Sequence, residues 1–377
     1  MNLTELNASQ LFQAYFLFFC GAAVLSVLLN IIFLRFSKTL GIRNHDLTIA
    51  RWSADSKPAL GGISFFMAFL LAFFVFVTFF NFPSVQLTWQ QIGFVAAAGI
   101  AFLMGLSDDA YNTKPLLKFG VQLGCGVLLV ATGTYITLFS FEPLNYALTV
   151  FWVIAVMNSI NMLDNMDGIT TVVSLFITLI ALGIVFTSDQ FSSFYATILV
   201  GVTAALLSFL FFNWNPSKMF MGDAGSQFLG IFLAAIGIQY FWNFNDLSPS
   251  VDPLQQIVVC ALAFALPIAD TTTVVINRIR RGQSPFVGGK DHTTHHLSYL
   301  GCSDKQVGLI FTGISTISFL LVFIITNFIE DWKIGHSVLF FVYFLLVIIG
   351  LFSTTKLKKA REKFNELEAK RARPEET

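Results

Sequence analysis

QIGFVAAAGIAFLMGLSDDAYN, residues 91–112, is the stretch that decides the fold. From Gln91 to Ser107 it is apolar almost throughout and about 17 residues long, enough helix to cross a bilayer. It then ends in two adjacent carboxylates, Asp108 and Asp109. Like charges side by side repel each other, and charge beside hydrocarbon is expensive unless it is paired, solvated or bound to a cation. A spanning helix that emerges into a charged site accounts for both halves of the stretch.

The rest of the chain repeats the pattern. Of 377 residues, 55% are hydrophobic and only 12% charged, against about 25% charged in a soluble domain; mean hydropathy is +0.73. The apolar blocks predict an all-α, polytopic integral membrane protein with about eleven spans. These lie near 11–34, 60–80, 91–107, 117–139, 145–162, 168–187, 194–213, 224–241, 255–277, 306–328 and 336–353. Residues 1–353 read as one transmembrane domain and 354–377 as a charged tail. The first ten residues carry no Lys or Arg, so the first span is expected to be retained rather than cleaved as a signal peptide.

Basic residues set the orientation. With the N-terminus outside, inner loops hold Arg35, Lys38, Arg43, Arg51, Lys57, Lys114, Lys118, Lys218, Arg278, Arg280, Arg281, Lys290 and Lys305. The tail adds eight more, leaving Lys333 alone on the outer side. The C-terminus is therefore expected in the cytosol. The tail, KLKKAREKFNELEAKRARPEET, reads as a solvated juxtamembrane helix that can touch anionic lipid. Four cysteines form no CxxC and read as small apolar residues. The 44 phenylalanines read as lipid-facing and packing residues.

Six aspartates, Asp108, Asp109, Asp164, Asp167, Asp223 and Asp270, fall at or near the inner ends of spans. A hard divalent cation such as Mg²⁺, with Mn²⁺ as the alternative, would hold such carboxylates, sharing them with substrate phosphate and water. If helical, Asp108 and Asp109 project about 100° apart, so one can face metal and the other a reacting group.

Four further stretches share that face. SKPALGG, 56–62, offers Lys57 to phosphate as a point charge, or is an ordinary loop lysine. NSINMLDNMDG, 158–168, sets Asn158, Asn161 and Asn165 on one helix face, with Asp164 and Asp167 three apart. Their acceptors and amide donors suit a base, a sugar or a metal. NWNPSKMFMGDAGSQ, 213–227, ends one span at Asn213 and opens the next around Asp223. That helix start offers N–H groups to phosphate, and Phe220 can stack on a nucleobase. KDHTTHHLSY, 290–299, places His292, His295 and His296 at i, i+3 and i+4. They read as diphosphate contacts or proton donors, with a structural role or zinc as alternatives. Asp270 reads as a supporting residue.

KPALGG, GLSDDAYN, NMLDNMDG, FMGDAGS and HTTHH, in this order, resemble the polyprenyl-phosphate N-acetylhexosamine-1-phosphate transferases, the MraY/WecA-like family, over about residues 57–296. The resemblance implies a transferase in the bacterial inner (plasma) membrane with its active site on the cytosolic face. A UDP-N-acetylhexosamine would donate sugar-1-phosphate to undecaprenyl phosphate, with Mg²⁺, releasing UMP. It also implies site residues: Asp108, Asp109 and His292 as catalytic groups; Asp109 and Asp223 on the metal; and Lys57, Lys118, Asn158, Asn161, Asp164, Asp167, Asn213, Phe220, His295 and His296 around the substrates. Asn165 stands where the family often has Gly, and DHTTHHL lacks the histidine run of the muramoyl-pentapeptide transferases. The missing histidine run places the chain nearer the WecA-like branch, and Asn165 implies a different turn at that point. Membrane lipid and a second copy of the chain are expected partners; nucleic acid is not. A secondary transporter using membrane aspartates is the alternative function.

Overall fold

A computed structural model describes residues 8–36, 57–80, 87–188, 191–244, 252–285 and 288–371. Lys38, Arg43, Arg51 and Arg373, used above for orientation, lie outside the described residues. Within them the chain forms helices and connecting turns, with no strand. In order these are α1 (Ala8–Phe36), α2 (Gly61–Val75), α3 (Trp89–Tyr111), α4 (Pro115–Ala131), α5 (Glu142–Leu163), α6 (Ile169–Thr187) and α7 (Ser193–Asn213). There follow α8 (Gly222–Gly237), α9 (Pro253–Ala263), α10 (Ala265–Arg280), α11 (Thr293–Tyr299), α12 (Asp304–Phe328), α13 (Ile334–Thr354) and α14 (Lys358–Arg371). Wider π-type turns extend α2 over Phe76–Phe80 and α8 over Ile238–Trp242.

Among the described residues, nine helices are long and apolar enough to span a bilayer, or up to ten with α9 and α10 counted as one span. Eleven were expected, and two segments explain the difference. The fourth expected span, 117–139, stops at Ala131. Gly133 adopts φ 89°, and the chain beyond it is no longer helical, held by side chains instead of helix bonds. Asn145 Oδ1 accepts from Leu138 N and Phe139 N, Asn243 Oδ1 accepts from Thr137 N, and Thr149 Oγ1 accepts from Ile136 N. Asn243 lies 106 residues from Thr137 and Asn145 belongs to the next helix, so the apolar pattern of the block itself does not announce the stop. The ninth expected span bends by 74° between α9 and α10. Pro267 sits three residues past the break; its ring clashes with the carbonyl four residues back, that of Ala263, where α9 ends.

The helix α8 is the centre of the bundle, enclosed by α2, α3, α5 and α6. Phenylalanines fill the seams: Phe66 stacks on Phe102 with ring centroids 4.0 Å apart, and Phe69 meets Phe94 and Phe228 edge-on. Others, such as Phe12, Phe151 and Phe211, lie exposed on the outside of the bundle. In lipid that outer surface is no liability, and helix association depends on close packing instead. Gly62 shows how close: a Cβ there would overlap the backbone of Gly225 on α8.

The tail departs from the sequence reading. Its helix α14 is not simply solvated, because Ala360 is fully buried and Phe364 is 8% exposed against Tyr299 and Leu300 of the histidine segment.

Candidate active site

Four helix ends bring the acidic residues together. The C-terminal end of α3 carries Asp108 and Asp109, the start of α4 carries Lys118, the end of α5 carries Asn161, and the start of α8 carries Asp223. Lys118 pairs closely with Asp108, and its Nζ lies 4.0 Å from Asp223 Oδ2. The Asp108 and Asp223 carboxyl groups are within hydrogen-bonding reach of each other. Asn161 Nδ2 donates to Asp223 Oδ1 at 2.7 Å and to Ser226 Oγ at 2.8 Å. Asp108 is nearly buried, at 2%, while Asp223 keeps a quarter of its side chain exposed. Thr113 donates both its N–H and its hydroxyl to Asp108 Oδ1, each at 2.7 Å, across a left-handed turn at Asn112.

The adjacent aspartates are tolerated because each has its own positive partner. Asp108 faces the Lys118 ammonium. Asp109 points the other way and caps α8: its oxygens accept from Asp223 N at 3.0 Å and Ala224 N at 2.8 Å. A carboxylate there is favoured by the helix dipole. The start of α8 was expected to offer those N–H groups to a phosphate; a side chain from α3 takes them instead. Gly222 makes this approach feasible. It adopts φ 75°, and a Cβ on it would come within 2.7 Å of Asp109 Oδ2.

Lys57 and Phe220 meet because two loops are zipped together. Gly61 N donates to Phe220 O, Gly62 N to Met221 O, and Phe220 N to Pro58 O, at 2.8–3.1 Å. Lys57 Nζ then lies 5.3 Å from the centre of the Phe220 ring, 3.2 Å from Ser217 Oγ and 3.8 Å from Asp167 Oδ2. Asp167 also accepts from Ser217 N and Asn215 Nδ2. Asp164 closes α5 as its C-terminal cap.

Asn213 is buried, and its amide is spent within the protein. Its Oδ1 accepts from Gly168 N and Thr171 Oγ1, and its Nδ2 donates to Met219 O. Asn158 likewise donates to Gln122 Oε1 at 2.7 Å, and Gln122 donates to Gln227 Oε1 at 3.3 Å. These two asparagines tie the elements that carry Asp167, Lys118 and Asp223.

The histidine segment is anchored from two sides. Asp270 Oδ2 lies 2.8 Å from His292 Nδ1, while its Oδ1 accepts from the N–H and hydroxyl of Thr293. Thr294 donates to Asn165 Oδ1 at 2.6 Å, joining α11 to the end of α5. The i, i+3, i+4 spacing was expected to put three histidines on one face. His292 and His295 do meet, with ring centroids 5.4 Å apart. His292 is the extended N-cap of α11 and not part of the helix, and His296, about 100° round from His295, packs against Tyr299 and Phe364. Burial, with the charge of His292, pushes the His295 imidazole well below its ordinary pKa. The rings thus do not converge as a zinc site requires.

Sequence reasoning missed the clamp beside them. Arg278 is 4% exposed and holds Asp291 with two bonds, at 3.0 and 2.6 Å; Arg281 pairs with the same carboxylate. No i, i+4 pattern could reveal it, since the partners stand 13 and 10 residues apart in the sequence. Burial opposes ionisation of Asp291, but the Arg278 bonds and charge outweigh it and hold the carboxyl at about 2, down from 3.8. A depressed pKa adds stability above the unfolded value, lost as pH falls through the folded value. Wild-type protein is therefore expected to lose of order 2 kcal/mol from this pair between about pH 4 and pH 2. Asp291→Asn should lack that acid step and melt lower at pH 7, where it strands a buried guanidinium. Thermal unfolding across that pH range checks both; an unchanged acid step in the variant would contradict the clamp.

Residues 91–241 match the family model described as glycosyl transferase family 4. The chain is also similar to several curated proteins. A probable undecaprenyl-phosphate N-acetylglucosaminyl 1-phosphate transferase of Bacillus subtilis (strain 168) is 30% identical over 262 residues, covering 67% of this chain and 69% of that protein. A decaprenyl-phosphate N-acetylglucosaminephosphotransferase of Mycobacterium leprae (strain TN) is 28% identical over 286 residues, covering 67% and 69%. An undecaprenyl-phosphate alpha-N-acetylglucosaminyl 1-phosphate transferase of Escherichia coli (strain K12) is 25% identical over 269 residues, covering 68% and 69%.

Proposed function

The chain belongs to glycosyl transferase family 4, and from that premise we propose that it transfers N-acetylhexosamine 1-phosphate from a UDP-sugar to undecaprenyl phosphate and releases UMP. The observation that carries the reading is the meeting of Asp108, Lys118, Asn161 and Asp223 at one end of the bundle. A lipid acceptor keeps its chain in the bilayer and its phosphate at the surface, so the two substrates meet where these helices end. The basic residues counted on that side support a cytosolic face, and we take the membrane to be the inner membrane of a bacterium. A transporter would place its acids near mid-membrane between repeats, and the relatives named above are transferases.

Phosphoryl transfer asks the protein chiefly for positioning and charge neutralisation. An oxygen of the lipid phosphate attacks the phosphorus that bears the sugar; the bond from that phosphorus to the bridging oxygen breaks, and UMP leaves. Lys118 would meet the phosphates as a point charge between two carboxylates. Phe220, with Lys57 above its ring, offers a stacking surface for the uracil, and Asp167 holds Lys57 there. His292, fixed by Asp270, and His295 would face the sugar-diphosphate side.

The donor set fits Mg²⁺ or Mn²⁺. Asp108 and Asp223 supply two hard oxygen ligands in reach of one another, one of them partly exposed. Magnesium often takes only one or two carboxylates, with water and substrate phosphate completing the shell. Among the described residues no group of three or more metal-binding side chains is found. When bound, the ion would neutralise charge on the diphosphate. Asp109, by contrast, acts as the cap of α8 and aligns Asp223.

Purified protein supplied with undecaprenyl phosphate, Mg²⁺ and a panel of UDP-sugars is expected to release UMP with a UDP-N-acetylhexosamine. Uptake of a sugar nucleotide into vesicles with no UMP formed would reverse the reading in favour of transport.

A further inference from the structure

The C-terminal helix α14 touches the histidine segment through very few residues, and one of them lies between two parts of the site. The Phe364 ring has the His296 imidazole on one side, with centroids 5.7 Å apart, and the Arg281 guanidinium 4.9 Å from its centre. Arg281 in turn pairs with Asp291, the residue before His292. Ala360, one turn earlier, is fully buried against the same surface. Lys359 Nζ caps the end of α11 by donating to Leu300 O at 2.9 Å. The outer face of α14 carries Lys358, Glu362, Lys363 and Glu366, which pair with one another. A merely solvated tail has no need of a buried alanine and phenylalanine at i and i+4.

We propose that Phe364 and Ala360 are positioning residues of the transferase: α14 acts as a strap that seats the histidine helix α11 and fixes Arg281 against Asp291. The proposal rests on the transferase reading for its kinetic part only. His296 fits the role. It is 3% exposed, and neither ring nitrogen has a hydrogen-bond partner among the described residues. Burial pushes its imidazole down to about 4, so it packs as a neutral ring. The Phe364 ring and a neutral imidazole, tilted 40° to each other, pack without a charge to solvate. Because α11 has only seven residues, it is too short to hold its own conformation. Its orientation must come from neighbours: Asp270 at one end, Asn165 at its start, and Phe364 over its back.

The test has two arms in the full-length, detergent-purified protein. In the first, diethyl pyrocarbonate labels accessible imidazoles, read peptide by peptide by mass spectrometry, with His336 as internal reference. Wild-type His296 is expected to be protected. Phe364→Ala is expected to raise its labelling about tenfold by local opening, and Phe364→Leu to restore most of the protection. In the second arm, Phe364→Ala is expected to raise KM for the UDP-sugar about 3–10-fold with kcat changed less than about twofold, the pattern of lost positioning for binding. Glu362→Ala, on the outer face of the strap, should leave both readouts at wild-type values. Unchanged labelling in Phe364→Ala would overturn the docking of α14. Increased labelling with unchanged KM and kcat would overturn its role in the site. If wild type released no UMP from any UDP-sugar, the transferase reading would fail, while the labelling arm would still decide the docking.

Discussion

Asp223→Asn and Asp108→Asn are each expected to lower the rate of UMP release by about a thousandfold or more, a loss typical of removing a charged group from a phosphoryl-transfer or metal site. Both changes keep the shape of the side chain and remove one charge. Asp223→Asn keeps an oxygen for Asn161 Nδ2 and gives up only the 4.0 Å approach of Lys118, which stays paired with Asp108. In Asp108→Asn the Lys118 ammonium keeps Asp223 as a partner, so no lone charge is stranded. The fold should therefore survive, and a melting temperature within a few degrees of wild type would show it. A well-folded variant retaining a tenth of the activity would remove these carboxylates from the chemistry.

Chelation is expected to have the next largest effect. Protein stripped with EDTA should fall below about 1% of its activity and recover when Mg²⁺ or Mn²⁺ is restored, because one or two carboxylates and the substrate phosphates hold such an ion exchangeably. A second readout does not depend on turnover. Ligand binding to the native state stabilises it by about 2.7 kcal/mol at a hundred times Kd. Mg²⁺ should thus raise the melting temperature of wild type and leave Asp223→Asn unmoved. Full activity in chelator would mean that Lys118 alone balances the phosphate charge.

Most of the spans were legible, because a helix in lipid must satisfy its own backbone and therefore shows as a continuous apolar block. Two expected spans take another form in the structure, a shortened α4 and a bend between α9 and α10. At 132–139 the helix gives way to a non-helical run held by Asn145 and Asn243, and Asn243 lies more than a hundred residues away. Pro267 was visible in the sequence, but its 74° consequence was not. At the site, residue types and the helix ends they sit on were readable, whereas individual partners were not. The sequence could not show that Asp109, expected on a metal, also caps α8, or that His296, expected at the substrate, touches Phe364 of the tail.

What the sequence determined by itself is the chemistry available and the side on which it gathers. Apolar blocks and charge counts force carboxylates, lysines and histidines to the ends of spans, and those are properties of segments one at a time. What only the tertiary structure decided is how each charge is balanced. Asp108 goes to Lys118, Asp109 to the α8 backbone, Asp291 to Arg278, and Phe364 to the gap between Arg281 and His296. Electrostatic and packing partners are chosen by distance in space. That distance is fixed only when α2, α3 and α5 close around α8, with glycine at the contact where Gly62 and Gly225 let the backbones touch.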